Sequence, residues 1–337
     1  MMRRLLPTLL LLGVACNRKP SPPGPTPSAV ASAAVSPNAG VPAFSPSHLA
    51  PFQPIPPAVE KPVLDDAPRL GQQLFWDARL SKGQDVSCNG CHALAAGGMD
   101  GQVLSTATKG EKTKRNAPTV LNAGGSFAQG WDAKASTIED FLPGHFTDVF
   151  AQDPAATVAS IPDYAAAFRK TYAGEALSGE LLARALGAFT KKLFARGRWD
   201  RYLEGDAAAL SAEELGGLAM FVEAGCPTCH QGKYLGAKEA QKVGIAKEWP
   251  GISPTAMFKI PSLRNTWRTG PWLHDGSIAT LEDVTRKMAR HQVGKELSAV
   301  QAVAITSFLA TLDGEPPKEL AAKPALPVSG PKTPKPE

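Results

Sequence analysis

The sequence lacks any apolar run long enough to cross a bilayer. Leu5 to Val14 is a stretch of about ten apolar residues, where a spanning helix needs roughly 20. It also lacks the strict apolar–polar alternation of half-buried strands, which turns the reading away from β architecture. An excess of charge of one sign is missing too. The 36 Lys and Arg against 31 Asp and Glu leave a net +5. Without Arg3 and Arg4, which sit in a leader, this is 5 − 2 = +3, too weak and scattered for nucleic acid. Cysteine is scarce, with five residues, and four of them form two CxxC pairs. Neighbours at that spacing are poor material for a disulfide framework.

What is present begins with a secretion signal over residues 1–16. Arg3 and Arg4 give the positive start, and the short apolar core follows. Leu12-Gly13-Val14-Ala15-Cys16 has the form of a bacterial lipoprotein cleavage site, with Gly13 where a leucine is usual. The fifth cysteine falls at the acylation position, so Cys16 is the expected lipid anchor, holding the protein to a membrane. Simple cleavage near Ala15 is the alternative. Residues 17–57 are rich in Pro, Ala and Ser and read as a disordered tether. Some 40 residues of that kind span about 120 Å in polyproline form or about 35 Å as a flexible coil. Residues 317–337 have similar composition and read as a disordered tail.

Between these ends the pattern is helical. Leu182, Leu186, Phe189 and Leu193 recur with a 3.6-residue period. Leu281, Val284 and Met288 share one helical face, and Val300 to Leu312 is a further amphipathic helix ended by Asp313-Gly314. The expected fold is all-α, with long loops rich in Gly, Pro and Asn. Such loop-heavy helical domains suit a core that is partly cofactor.

Two segments carry the chemistry: Cys88-Asn-Gly-Cys91-His92 and Cys226-Pro-Thr-Cys229-His230. In each, two thiols form thioethers with haem vinyl groups and the adjacent histidine turns back onto iron. A four-cysteine zinc site is the rival reading. It requires distant CxxC pairs to converge and leaves a histidine at the same offset twice unexplained. The expectation is two covalent c-type haems, with His92 and His230 as iron ligands.

Further segments resemble the bacterial di-haem cytochrome c peroxidases and their relatives, including the di-haem enzyme of methylamine utilisation. They are Leu74-Phe-Trp-Asp-Ala-Arg-Leu-Ser81, Arg115-Asn-Ala-Pro-Thr-Val-Leu-Asn122, Phe127-Ala-Gln-Gly-Trp-Asp132, Pro261-Ser-Leu-Arg-Asn265 and Pro271-Trp-Leu-His-Asp-Gly276. The resemblance implies two cytochrome-c-like haem domains, here 58–204 and 205–316. It implies that Met288 completes the second haem, with His291 one turn later as a back-up, and that Trp131 lies between the haems on an electron route. On its own pattern Met288 would be core filler, and Trp131 packing. Asn116, Thr269 and Pro271 match an inter-domain calcium site, an all-oxygen set that suits Ca²⁺; plain loop structure is the other reading. His274 matches a residue that holds a haem propionate, supports a neighbouring group, or fixes a turn.

The departures lie on the distal side of the first haem. The family's catalytic glutamate falls on Ala151, its glutamine on Phe141, and the histidine that caps the resting haem on Thr108. Asp148 or Asp153 would stand in for the acid if the loop is shifted. His145 falls on a family proline of the distal pocket. It would serve there as acid–base group or iron ligand, or else face solvent as a loop residue. The resulting expectation is a periplasmic enzyme that reduces hydrogen peroxide with electrons from a small cytochrome c or copper protein; the resemblance also implies a homodimer. The alternatives are an electron-transfer or redox-sensing cytochrome, or a long-range oxidase of a protein substrate; Met288 argues against the last.

Overall fold

Eleven helices follow one another in the described residues, 40–57 and 64–336, of the computed structural model: α1 (Asp66–Trp76), α2 (Cys88–Cys91), α3 (Ile138–His145), α4 (Ala155–Ala159), α5 (Pro162–Thr171), α6 (Gly179–Thr190), α7 (Arg198–Leu203), α8 (Ala212–Glu223), α9 (Leu281–Met288), α10 (Ala299–Ala310) and α11 (Lys318–Ala321). The helix expected from residues 180–194 is α6, started by Ser178, whose Oγ accepts a hydrogen bond from Leu181 N. Thr137, Ser211, Thr280 and Ser298 start α3, α8, α9 and α10 in the same way. Such caps are worth about 1 kcal/mol each. Strands are few. β1 (Arg196–Gly197) pairs antiparallel with β4 (Gly314–Glu315), and β2 (Ala240–Lys242) with β3 (Met257–Lys259). These ribbons are too short to leave a period in the sequence.

Apolar side chains gather into two cores. The first joins Leu74, Phe75, Phe146, Tyr164, Phe168, Leu182 and Phe189. The second joins Trp199, Leu218, Phe221, Leu281, Ile305 and Phe308. Each is organised by one close helix crossing, α1 on α6 and α8 on α10. Glycine permits both. A Cβ at Gly71 would collide with the Ala185 carbonyl and Phe189, and one at Gly217 with the Ala304 carbonyl and Phe308.

The two halves are copies of one plan, offset by 143 residues (288 − 145) through their central segments. Asn122 and Asn265 both take left-handed backbone angles, as do Ala151 and Gly294. Gln129 bridges Ala135, as Trp272 bridges Ile278. Thr119 Oγ1 donates to Gly97 O and Ser262 Oγ to Tyr234 O, both at 2.6 Å. Helix α3 runs into a π-turn at Phe146–Phe150 and α9 into one at Ala289–Val293. The halves meet about a local twofold. Asn116 N donates to His274 O (2.9 Å), and Lys259 N donates to Trp131 O (2.8 Å), each bond being the image of the other.

Three boundaries differ from those expected. Residues 40–57 are not tether: Phe52 and Ile55 are buried, Phe44 and Leu49 pack on the second core, and Ile55 N donates to Asp200 Oδ1 at 2.8 Å. Those four apolar side chains anchor an otherwise proline-rich stretch. Residues 317–336 are not a free tail. Leu320 is fully buried in the first core, and the carbonyls of Glu319 and Leu320 accept from Gln72 Nε2. Farther along, Pro327 O accepts from Arg79 and Pro334 O from Gln84. An extended proline-rich chain has no internal partners for its carbonyls, so long donors on α1 and the following loop fix it. Finally, the second core begins before residue 205, because Trp199, Tyr202 and Leu203 of α7 belong to it. The signal segment, Cys16 and residues 17–39 lie outside the described residues.

Candidate functional site

Each CxxCH segment closes into a single tight turn. His92 N donates to Cys88 O (2.8 Å) and His230 N to Cys226 O (2.9 Å). Each imidazole is then turned by its own Nδ1, which donates to Pro118 O in the first half and Leu235 O in the second, both at 3.0 Å. That leaves Nε2 as the free, electron-donating nitrogen, the arrangement by which a carbonyl fixes the tautomer of a metal-ligating histidine. Burial lowers the pKa of both rings, which keeps them neutral.

Cys88, Cys91, Cys226 and Cys229 form no disulfide with one another. Burial pushes Cys88 and Cys226 up to about 12 and raises Cys91 and Cys229 as well. Among the described residues no three His, Cys, Asp or Glu side chains gather as a metal site requires. The two pairs lie in different halves, which disposes of the four-cysteine zinc reading. The surroundings fit haem instead. Trp76 Nε1 and Ser105 Oγ are buried with no hydrogen-bond partner, donors that a carboxylate-bearing prosthetic group would answer. A cavity of about 480 Å³ opens beside Val86, Gly90 and Thr106.

Opposite His92 stands His145, with the ring centroids 6.3 Å apart. It is the last residue of α3. Phe141, one turn earlier, stacks on its ring at 5.2 Å, and Lys134 lies over the Phe141 face. Desolvation, with His92 and Lys134 adding to it, holds the His145 pKa down to about 3, so its ring is neutral. Half-buried at the end of α3 between the Phe141 and His92 rings, it is not a solvent-facing loop residue. The other distal candidates are accounted for. Thr108 is buried and donates to Asp85 Oδ1 at 2.8 Å while accepting from Gly83 N. Ala151 ends the π-turn, and Phe141 is the ring against His145. Asp153 accepts from Ala155 N at the start of α4, and Asp148 is exposed on the π-turn.

In the second half Met288 closes α9 at the place that His145 takes at the end of α3, half-buried against the second core. His291 is buried elsewhere. Its Nδ1 donates to the carbonyls of Lys247 and Glu248, and its ring packs on Trp249 at 4.8 Å. Trp131 sits at the junction of the halves. Its Nε1 donates to Asn116 O (2.9 Å), and its ring meets His274 edge-on at 6.5 Å. His274 also packs on Phe258 at 4.5 Å. Asn116 is held beside it, with Nδ2 donating to Gln102 O and Val103 O. Trp131, His274 and Asn116 are thus brought together at one junction. Sequence reading missed Phe258 and Lys259 there; their signal was the position that matches Arg115 and Asn116 in the other half.

The sequence profile described as di-haem cytochrome c peroxidase matches residues 65–208. The cytochrome c551 peroxidase of Nitrosomonas europaea is 35% identical over 306 residues, covering 85% of this chain and 90% of that protein. The cytochrome c551 peroxidase of Pseudomonas aeruginosa is 33% identical, with the same coverage. Among solved structures, a MauG-like protein associated with microbial copper homeostasis superposes with a TM-score of 0.64 at 25% identity, over 81% of this chain and 95% of that one. The chain belongs to the di-haem cytochrome c peroxidase family. It is a peroxidase-like oxidoreductase of the two-haem c type.

Proposed function

We propose that this protein reduces hydrogen peroxide to water in the periplasm, using electrons from a small cytochrome c or copper protein. Cys88, Cys91 and His92 would hold one haem; Cys226, Cys229, His230 and Met288 would hold the other. When bound, the haems supply a peroxide-reducing iron in the first half and an electron-storing iron in the second. Thioether ligation by Met288 favours the reduced state, which suits storage. Trp131 would pass electrons between the halves, since its ring bridges the junction to His274. His145, neutral and facing His92, would be the distal group, able to take a proton at a ring nitrogen from an arriving peroxide and return it to the leaving oxygen.

The single observation that carries this reading is the inequivalence of the two copies. One fold plan is used twice, with methionine closing α9 and histidine closing α3. Two different sites on one scaffold divide storage from chemistry. Likeness to named cytochrome c peroxidases supports the same substrate class. Cys16 would anchor the protein to a membrane. Asn116 with the Thr269 and Pro271 carbonyls would take calcium at the junction, and the active form would be a homodimer.

The test is donor oxidation. Holoprotein given peroxide and a reduced small cytochrome should oxidise the donor well above the rate of free haem. A rate equal to that of free haem sinks the proposal and leaves an electron-transfer or sensing cytochrome.

A further inference from the structure

We infer that His145 is the second axial ligand of the first haem in the resting protein, and that it is a cap which an incoming small molecule displaces. The inference rests on the reading of Cys88–His92 as a haem-binding segment.

Spacing comes first. Two imidazoles on opposite sides of one iron need two metal–nitrogen bonds of about 2 Å each; with the distance from each nitrogen to its ring centre, the centroids stand roughly 6 Å apart. His92 and His145 stand 6.3 Å apart. Too little space remains between them for a peroxide as well as an iron.

The repeat supplies an independent argument. His145 and Met288 are matching residues, each the last of an eight-residue helix capped by threonine and each followed by a π-turn that ends in a left-handed residue. Single π-turns tend to mark functional positions. The local backbone is therefore built twice to present one side chain at a fixed depth. The second half presents a thioether there and the first an imidazole, both competent iron ligands. Phe141 stacks on the imidazole from one turn earlier and holds its plane.

The two histidines are unequal as ligands. His92 Nδ1 donates to Pro118 O, which raises the basicity of the other nitrogen and fixes the ring. Neither nitrogen of His145 has a hydrogen-bond partner among the described residues. His145 is thus the weaker and more exchangeable of the two.

The experiment compares resting ferric holoprotein with His145→Gly by electron paramagnetic resonance and visible spectroscopy. The parent should show a low-spin first haem. The variant should show a high-spin one, and added imidazole should restore the low-spin signal. A high-spin first haem in the parent, or an unchanged spectrum in the variant, overturns the inference. If the glycine variant loads too little haem, His145→Met serves: exchanging imidazole for thioether should shift the first haem's potential upward, and an unmoved potential overturns the inference. Donor turnover is scored separately. Turnover with a high-spin parent would sink the cap and leave the peroxidase reading; a low-spin parent without turnover would do the reverse.

Discussion

Trp131 and His274 are matching residues of the two halves, and they touch each other edge to face at 6.5 Å. A residue meets its own counterpart only where a local twofold passes between them. The paired backbone bonds, Asn116 N to His274 O and Lys259 N to Trp131 O, lie on either side of that axis. The junction is therefore specified by both copies, and changes in it should be felt by both.

Trp131→Phe should slow electron transfer between the haems while both remain attached. The change also strips the donor from Asn116 O, at a cost of about 1–3 kcal/mol. Stopped-flow reduction by the donor, watched at each haem, separates the two effects. An unchanged rate between haems with lowered stability would confine Trp131 to packing.

Met288→His should lower the potential of the second haem and leave the first unmoved, since imidazole stabilises the ferric state more than a thioether does. A redox titration followed in the visible spectrum reads both centres. If Met288 is core filler, neither potential moves.

Gly71→Ala and Gly217→Ala should each destabilise the fold, by about 1–3 kcal/mol or more, because the new methyl meets a backbone carbonyl of the crossing helix. Thermal melts should fall for both. Similar losses would confirm that α1 on α6 and α8 on α10 are one crossing used twice.

Lys259 gives a pH signature. Burial lowers its pKa from 10.5 to about 8. The folded protein then binds fewer protons than the unfolded chain between pH 8 and 10.5, so this group makes stability rise with pH across that window. Below about pH 8 both states are charged and the penalty is at its full value. Lys259→Met should therefore stabilise the protein at neutral pH, with the gain shrinking toward pH 10.5. Denaturant melts of both proteins at several pH values give the difference; a gain independent of pH would exclude this origin.

The sequence made the chemistry legible and the architecture less so. The CxxCH segments and the apolar faces of α6 and α9 follow from residue type and spacing, whereas Trp131 stood out only through the family resemblance. The repeat did not, although Thr137-Ile-Glu-Asp140 and Thr280-Leu-Glu-Asp283 are its visible trace. Elsewhere the copies share backbone angles more than residues: Ala151 stands where Gly294 does, and Gly130 where Leu273 does, all left-handed. Composition misled at the ends. Proline and alanine suggested disorder, while Phe52, Ile55 and Leu320 supplied enough burial to fix each segment. The opposition of His145 to His92 is set by a helix packed from elsewhere in the chain, and no local pattern encodes that distance.

The two terminal segments are crossed. The stretch that precedes the first half, residues 40–57, packs on the second core, while the stretch that follows the second half, residues 317–336, packs on the first. The molecule is clasped: each half is closed by a piece of chain that belongs, in gene order, to the other's side. A cut at the midpoint would leave both fragments with a bare apolar flank and a stray strap. The copies differ in the residue that closes α3 and α9, yet these straps tie each one to the other.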